Sequence, residues 1–360
     1  MLLVGPLPPP IGGCTVLFQD LVNALEQLGV EYQVVDTAKN KGGGLLKRLK
    51  FMLRSMSLLL FAIPRAESVG LHTTNTSLVR LGLPLAIVCK LLRKPFVLRK
   101  FGGPVHDELP ASSSPPSRIH RWLADTTIRA ADLVLLETQY AVEAARQRGA
   151  RARWFANSRP MENAAQQVTL RFRRPKRFVY LGHVKESKGT EALKQIWSSL
   201  PADYTLDIYG PVYDEGSVQE LFSMPNVTYR GAVRPQEATA LLSHYRALVL
   251  PTRHPGEGQP GVILEAFAAC TPVIASRWGG IPELVNDCET GLLCNPSDPN
   301  AFREAIVRLA NDRQLYGKMQ RNIARQRKSF DSITAARRYV HLLDRLFPSK
   351  YGCEEMSRIA

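Results

Sequence analysis

The sequence has no apolar stretch near the ~20 residues that a bilayer-spanning helix needs. Its longest, residues 56–63 and 81–89, stop well short. The start lacks a basic region followed by a long apolar one, so no secretory leader is expected. The six cysteines (Cys14, Cys89, Cys270, Cys288, Cys294 and Cys353) include no CxxC pair. Cys89 and Cys270 fall in apolar helical patterns, where a thiol is a small hydrophobe. Reduced, structural cysteines in a cytoplasmic protein are the expectation. Asp-x-Asp pairs and the usual His/Cys ligand spacings are missing, so no metal is expected. Zinc-finger spacing, RNP-like aromatic strands and basic-leucine repeats are absent too, and no nucleic acid partner is expected.

What is present is ordinary globular material: 45% hydrophobic and 22% charged residues over 360 positions. That length exceeds what one core usually organises and predicts two domains. The net charge of +15 draws the chain toward something acidic, either an anionic membrane surface or a phosphorylated substrate once nucleic acid is set aside.

The chain opens on a strand at 1–4 and a turn-rich segment ending in Gly12 and Gly13. A helix follows with Leu17, Leu21, Leu25 and Leu28 at helical spacing. Gly29 stops it, and strands are expected at 32–35, 68–71, 96–99 and 133–136, each pair separated by helix-length sequence. Such alternation predicts a doubly wound parallel sheet, an α/β domain over 1–163. Periodicity is lost around Pro160 and the basic residues Arg171, Arg173 and Arg174, which marks a linker at 164–176. The alternation then restarts over 177–330, with strands at 178–181, 205–209, 227–229, 247–250 and 272–275 and helices from Thr190, at 264–269 and at 299–309. A last helix at 333–347, within 331–360, carries Val340, Leu343 and Leu346 and is expected to pack back on the first domain.

The richest constellation lies between two strands, residues 251–276 (PTRHPGEGQPGVILEAFAACTPVIAS). Gly258, Gly261 and Val262 supply small or slim residues at a helix start, where unpaired N–H groups and the helix dipole suit a phosphate. Glu257 precedes the helix and Glu265 lies on it, eight positions on. Carboxylates accept strong charge-assisted bonds from hydroxyls, so one suits a sugar and the other a ribose.

The pattern Glu-x7-Glu, followed by the threonine-proline strand at 271–275 and by GGIPELV at 279–285, resembles the retaining GT-B glycosyltransferases of family 4. The match extends through TGLL at 290–293 to Asp298. The resemblance implies two Rossmann-like doubly wound domains facing across a cleft. It also implies a nucleotide-sugar donor, UDP- or GDP-linked, held chiefly by the second domain, an acceptor held by the first, and no further cofactor. GHVKESKG at 182–189 stands where the family carries Gly-Arg-x4-Lys-Gly, whose cations neutralise the departing diphosphate. Lys188 matches; His183 replaces the arginine, with Lys185 or Arg253 as compensating cations. Gly12 and Gly13 resemble the family's glycine loop, and the segment leading to Val233 resembles the one that reads the base. Phe101 occupies the position of a donor-contacting histidine, leaving Arg99, Lys100, His106 or Asp107 as substitutes.

Finally, residues 47–61 combine basic and bulky apolar side chains, a composition suited to an anionic bilayer. The expectation is thus a metal-independent enzyme, with Lys188 and Glu257 as its catalytic residues, that moves a sugar to a hydroxyl of a saccharide or lipid-linked saccharide. It would work in the cytoplasm, peripheral on the inner face of the membrane. Competing readings are a sugar-nucleotide isomerase on the same scaffold and a catalytically silent, nucleotide-sugar-binding subunit.

Overall fold

The computed structural model describes residues 1–38, 61–103, 115–161, 174–214 and 216–347. Two compact units emerge, one comprising Met1–Ser158 with Ser332–Ala360 and the other Arg159–Asp331. Most of the linker expected at 164–176, and all of 47–60 in the expected membrane-binding segment, lie outside the described residues, as do His106 and Asp107.

In the first unit, strands β1 (Leu2–Gly5), β2 (Gln33–Asp36), β3 (Val69–Thr73), β4 (Phe96–Lys100), β5 (Leu133–Leu136) and β6 (Ala152–Trp154) form one sheet. Their order is β2-β1-β3-β4-β5-β6, and every neighbouring pair is parallel. The central strands are buried on both faces, as a parallel sheet with helices on each side requires. One face, with Val4, Leu71, Leu98 and Val134, packs on Leu85 and Cys89 of the helix Leu83–Leu91, Ile128 of Pro115–Ala130 and Val142 of Gln139–Gln147. The other face, with Leu3, Val97 and Leu135, packs on the helices Gly13–Gln27 and Ser332–Leu346. The terminal helix is thus part of the first unit's core: Ala336, Tyr339 and Leu343 follow one another at helical spacing and are buried.

The second unit repeats the design with β7 (Arg177–Leu181), β8 (Thr205–Tyr209), β9 (Val227–Tyr229), β10 (Ala247–Leu250), β11 (Val273–Ser276) and β12 (Gly291–Cys294). The order is β12-β11-β10-β7-β8-β9, all parallel. Counting from β7, this is the classic dinucleotide-fold winding, and the direction of winding reverses between β7 and β10. Loops leaving the carboxyl ends of two such strands diverge to opposite faces and open a crevice between them. Below it the sheet is tied by Asp207 of β8, which accepts from Arg177 (2.7 Å), Arg230 (3.0 Å) and Tyr245 (2.7 Å).

Two strands and the helices Pro235–Leu242 and Arg313–Gln326 are among the elements that escaped the sequence reading. β6 is three residues, Ala-Arg-Trp, with no apolar run, and β12 is leucine-rich and opens on glycine, against strand propensity. The helix Arg313–Gln326 is mostly polar and shows its core face only at Leu315, Met319 and Ile323.

A buried histidine gives the first unit a pH signature. His72 of β3 is 1% exposed, with Phe18 at 4.7 Å and Tyr339 at 5.7 Å between ring centroids. Burial, then the Arg99 charge, push its imidazole well below the ordinary 6.5. The unfolded chain therefore binds the extra proton. His72 stabilises fully above pH 6.5, and that contribution is lost as the pH falls toward the folded value. The slope is at most about 1.4 kcal/mol per pH unit. His72→Phe is expected to flatten that limb. Urea midpoints at neutral and mildly acidic pH check it; an unchanged difference between the two would rule out His72 as the source.

Candidate functional site

The crevice between β7 and β10 brings together His183, Lys188, Glu257 and Gly258 of the sequence-predicted residues. β7 runs into Gly182 and His183, then a single turn, Glu186–Lys188, closed by Gly189 in the left-handed region (φ +95°). A Cβ on Gly189 would lie 2.2 Å from the Pro251 carbonyl oxygen, just past the end of β10. Glycine thus lets the two strand-end loops touch, and the contact carries Lys188 to Glu257.

Lys188 Nζ donates to both oxygens of Glu257, at 2.9 and 2.7 Å. The Glu257 side chain is 8% exposed and that of Lys188 19%. Thr252 Oγ1, fully buried, donates to Glu257 Oε2 at 2.6 Å and accepts from the His254 backbone N–H at 3.2 Å. The Glu257 N–H donates to the His254 carbonyl (3.0 Å), which also accepts from Trp278 Nε1 (2.8 Å). From the loop after β11, the Gly280 N–H reaches the Glu257 carbonyl (3.2 Å), while Gly279 (φ +53°) approaches so closely that a Cβ would lie 2.2 Å from it. Glu257 is therefore held by three strand-end loops. A carboxylate with this many donors is fixed in one rotamer.

Charge around this carboxylate is mostly positive. Desolvation first, then Lys188 and Lys185, lower the His254 imidazole, which Glu257 raises and His183 lowers further. Lys185 is itself lowered by desolvation and then by Lys188. The four basic groups thus share one crevice. His183 lies against the Tyr213 ring, centroids 4.8 Å apart. Of the two compensating cations expected, Lys185 belongs to this cluster, and Arg253 donates from Nε to the Pro296 carbonyl at 2.8 Å.

The helix Gly261–Ala268 begins after Pro260 with no acidic residue in its first turn, and the N–H groups of Gly261 and Val262 have no acceptor within the helix itself. Gly258 is buried beside Glu257. Glu265, one turn into the helix, is paired with Arg159: Nε and Nη2 reach Oε1 at 3.1 and 3.0 Å. Val233 is half-buried past the end of β9, just before the helix Pro235–Leu242.

In the first unit, Gly12 caps the helix Gly13–Gln27, its N–H donating to Thr15 Oγ1 at 3.0 Å, and a side chain on Gly13 would meet open space. Phe101 is a core residue, not a site residue: its ring lies 4.8 Å from the Arg99 guanidinium, which Phe155 covers from 4.7 Å. Arg99 and Lys100, residue types usually found at a surface, are 2% and 1% exposed. Burial lowers Arg99 to about 10, with Glu137 the largest opposing influence. Lys100 donates to the Phe101 and Gly103 carbonyls.

Thr252, Arg159 and Trp278 were not singled out in sequence. Thr252 left a faint signal, a hydroxyl just past a fully apolar strand. Arg159 left none, because its partner is 106 residues away. No helix among the described residues is long and apolar enough to cross a membrane, and no group of three or more His, Cys, Asp or Glu side chains among them could hold a metal ion.

Residues 175–312, which contain the whole Lys188–Glu257–Glu265 constellation, match the family described as glycosyl transferases group 1. The chain is 28% identical over 139 residues to the sulfoquinovosyl transferase SQD2 of Arabidopsis thaliana, covering 38% of this chain and 27% of that protein. The match spans 23% to 42% of the length of these curated relatives. Among solved structures the chain resembles Anabaena HepE in complex with UDP-glucose, with TM-score 0.70, 17% identity and coverage of 96% and 99% of the two chains. It also resembles the sucrose-phosphate synthase of Thermosynechococcus elongatus, with TM-score 0.74, 20% identity and coverage of 96% and 99%. The fold is the two-domain, Rossmann-like GT-B fold.

Proposed function

We propose that this protein is a retaining glycosyltransferase of the family 4 type. It moves a sugar from a nucleoside diphosphate to a hydroxyl of a saccharide or lipid-linked saccharide, in polysaccharide or glycolipid biosynthesis. The observation that carries the reading is the Lys188–Glu257 pair at the carboxyl ends of β7 and β10, ringed by Lys185, His183 and His254. A nucleotide-sugar donor is supported by the group 1 match and by the UDP-glucose in the HepE complex.

In the reaction, the bond from the sugar's anomeric carbon to the diphosphate oxygen breaks. The acceptor hydroxyl forms the new bond on the same face, and its proton passes to the leaving diphosphate. Negative charge grows on that diphosphate, and preorganised cations stabilise it. Lys188 and Lys185 supply fixed charge, and the Gly261 and Val262 N–H groups add donors at a helix start. No metal is required on this reading. Glu257, held by Thr252 and Lys188, orients the sugar hydroxyls; Glu265 takes the ribose, Gly12 and Gly13 approach the phosphates and acceptor, and the segment at Val233 lies against the base. Incubation with radiolabelled UDP- and GDP-sugars and saccharide or lipid-linked acceptors tests this. Labelled product with the donor's anomeric configuration is expected. An epimerised sugar nucleotide would establish the isomerase, and nucleotide binding with no turnover of any donor the silent subunit.

A cytoplasmic enzyme peripheral on an anionic membrane surface fits a lipid-linked acceptor. Support comes from the helices Leu83–Leu91 and Pro115–Ala130, which pack side by side and turn Ile87, Leu91, Ile119 and Trp122 to solvent. Leu91 is 77% and Trp122 58% exposed, with Lys90, Arg93 and Arg118 exposed among them. Apolar side chains edged by cations suit an anionic interface. Co-sedimentation with phosphatidylglycerol-containing vesicles but not with pure phosphatidylcholine is expected. Leu91→Glu with Trp122→Glu should weaken it by about tenfold or more. Equal binding to both vesicle types would remove the electrostatic component.

A further inference from the structure

The Arg159–Glu265 pair has a place in the proposed donor site. The two side chains are 7% and 13% exposed, so the pair is largely withdrawn from water. Arg159 is anchored by its own backbone: its N–H donates to the Phe330 carbonyl at 3.0 Å, and it forms a parallel bridge with Asp331. Asp331 in turn accepts from the Met161 N–H at 3.0 Å. The guanidinium then lies over the start of the Gly261–Ala268 helix, where a Cβ on Gly261 would be 2.5 Å from Nη2. Glycine at 261 therefore makes room for an arginine of the same unit, whatever else its N–H does.

Arg159 Nε donates to Oε1 of Glu265, and Nη2 makes its ion pair with the same oxygen. A carboxylate pinned through one oxygen by a planar guanidinium keeps one orientation, with the second oxygen's lone pairs set for another donor. A lysine, a single point charge, would not impose that plane.

We propose that Arg159 is a positioning residue for the nucleotide: it fixes the Glu265 carboxylate so that Oε2 accepts from a ribose hydroxyl, and so sets the enzyme's preference for an intact ribose. This rests on the reading of Glu265 as the ribose carboxylate. Arg159 touches no substrate; it acts through Glu265. Its signature is a change in discrimination between nucleotides that differ only at the ribose, not a general loss of binding.

The test is calorimetric titration of the purified protein with UDP, 2′-deoxy-UDP and 3′-deoxy-UDP, or with the guanosine set where GDP binds more tightly. Wild type should bind at least one deoxy form about tenfold more weakly than the parent, the size of one lost charge-assisted hydrogen bond. In Arg159→Met the parent nucleotide should weaken by a similar factor, and the parent-to-deoxy ratio should fall to within about twofold, with Arg159→Lys between. Where Arg159→Met leaves a buried lone carboxylate and does not fold, Arg159→Met with Glu265→Gln removes that charge and should show the same collapsed ratio. A wild-type ratio in folded Arg159→Met or in Arg159→Lys overturns the proposal. So does a wild-type protein that binds UDP or GDP without regard to either hydroxyl. Wild type that binds neither nucleotide overturns the donor reading itself, a distinct result.

Discussion

Glu257→Gln and Lys188→Met should each cut sugar transfer by about a hundredfold to a thousandfold, the usual effect of removing one preorganised electrostatic group from a transition state. The two losses should not multiply. Lys188 Nζ lies within 2.9 Å of both Glu257 oxygens, so each residue holds the other in place, and removing either one disorders the pair. The double variant should therefore be hardly slower than the worse single one. Stability should follow a different order. Each single change leaves a largely buried charge without its partner, which costs up to about 3–5 kcal/mol where burial is complete and less here, since Lys188 retains some solvent. The double change removes both charges and should melt above either single variant. Initial rates with labelled donor and thermal midpoints on the same preparations decide it. Rates that multiply would mean that the two groups act independently, and a single variant with wild-type rate would remove that residue from the site. Thr252→Val is a milder probe of the same carboxylate, since it deletes the 2.6 Å bond to Oε2, together with the acceptor for the His254 N–H, and leaves both charges in place.

The parts of this arrangement that are written locally were legible in the sequence. Short apolar runs such as residues 133–136 and 247–250, bounded by turn residues, announced buried strands, and those strands are β5 and β10. Glu257 and Glu265 were legible for the same reason, because their spacing around a helix start is a local pattern. What stayed hidden depends on strand order. Lys188 and Glu257 are 69 positions apart and meet only because β10 returns to lie beside β7. Arg159 and Gly261 are farther apart still, so the reason for glycine at 261 could not be read from the motif that contains it. In the first unit, the charge of Arg99 and Lys100 argued for a surface. Two aromatic rings, Glu137, Asn157 and backbone carbonyls instead accommodate them inside, a many-body compensation with no periodicity to reveal it.

Gly189→Ala, a single added methyl, should be among the most damaging changes in the second unit. The left-handed backbone at φ +95° costs a non-glycine residue about 1–2 kcal/mol. The methyl would also press to 2.2 Å on the Pro251 carbonyl oxygen, where overpacking adds about 1–3 kcal/mol. Relief requires the turn after β7 to back away from the end of β10. That same movement draws Lys188 off Glu257, so activity should fall even at temperatures where the variant is fully folded. Gly149→Ala provides the control. Its φ is +83°, similarly left-handed, but an added Cβ meets nothing within 4 Å, so only the backbone strain should register. Thermal midpoints of the two variants should differ by the overlap at Pro251 alone, and only the Gly189 variant should lose transfer. Equal destabilisation by both, with transfer intact in each, would show that the β7 and β10 loops do not need their close approach to keep the Lys188–Glu257 pair assembled.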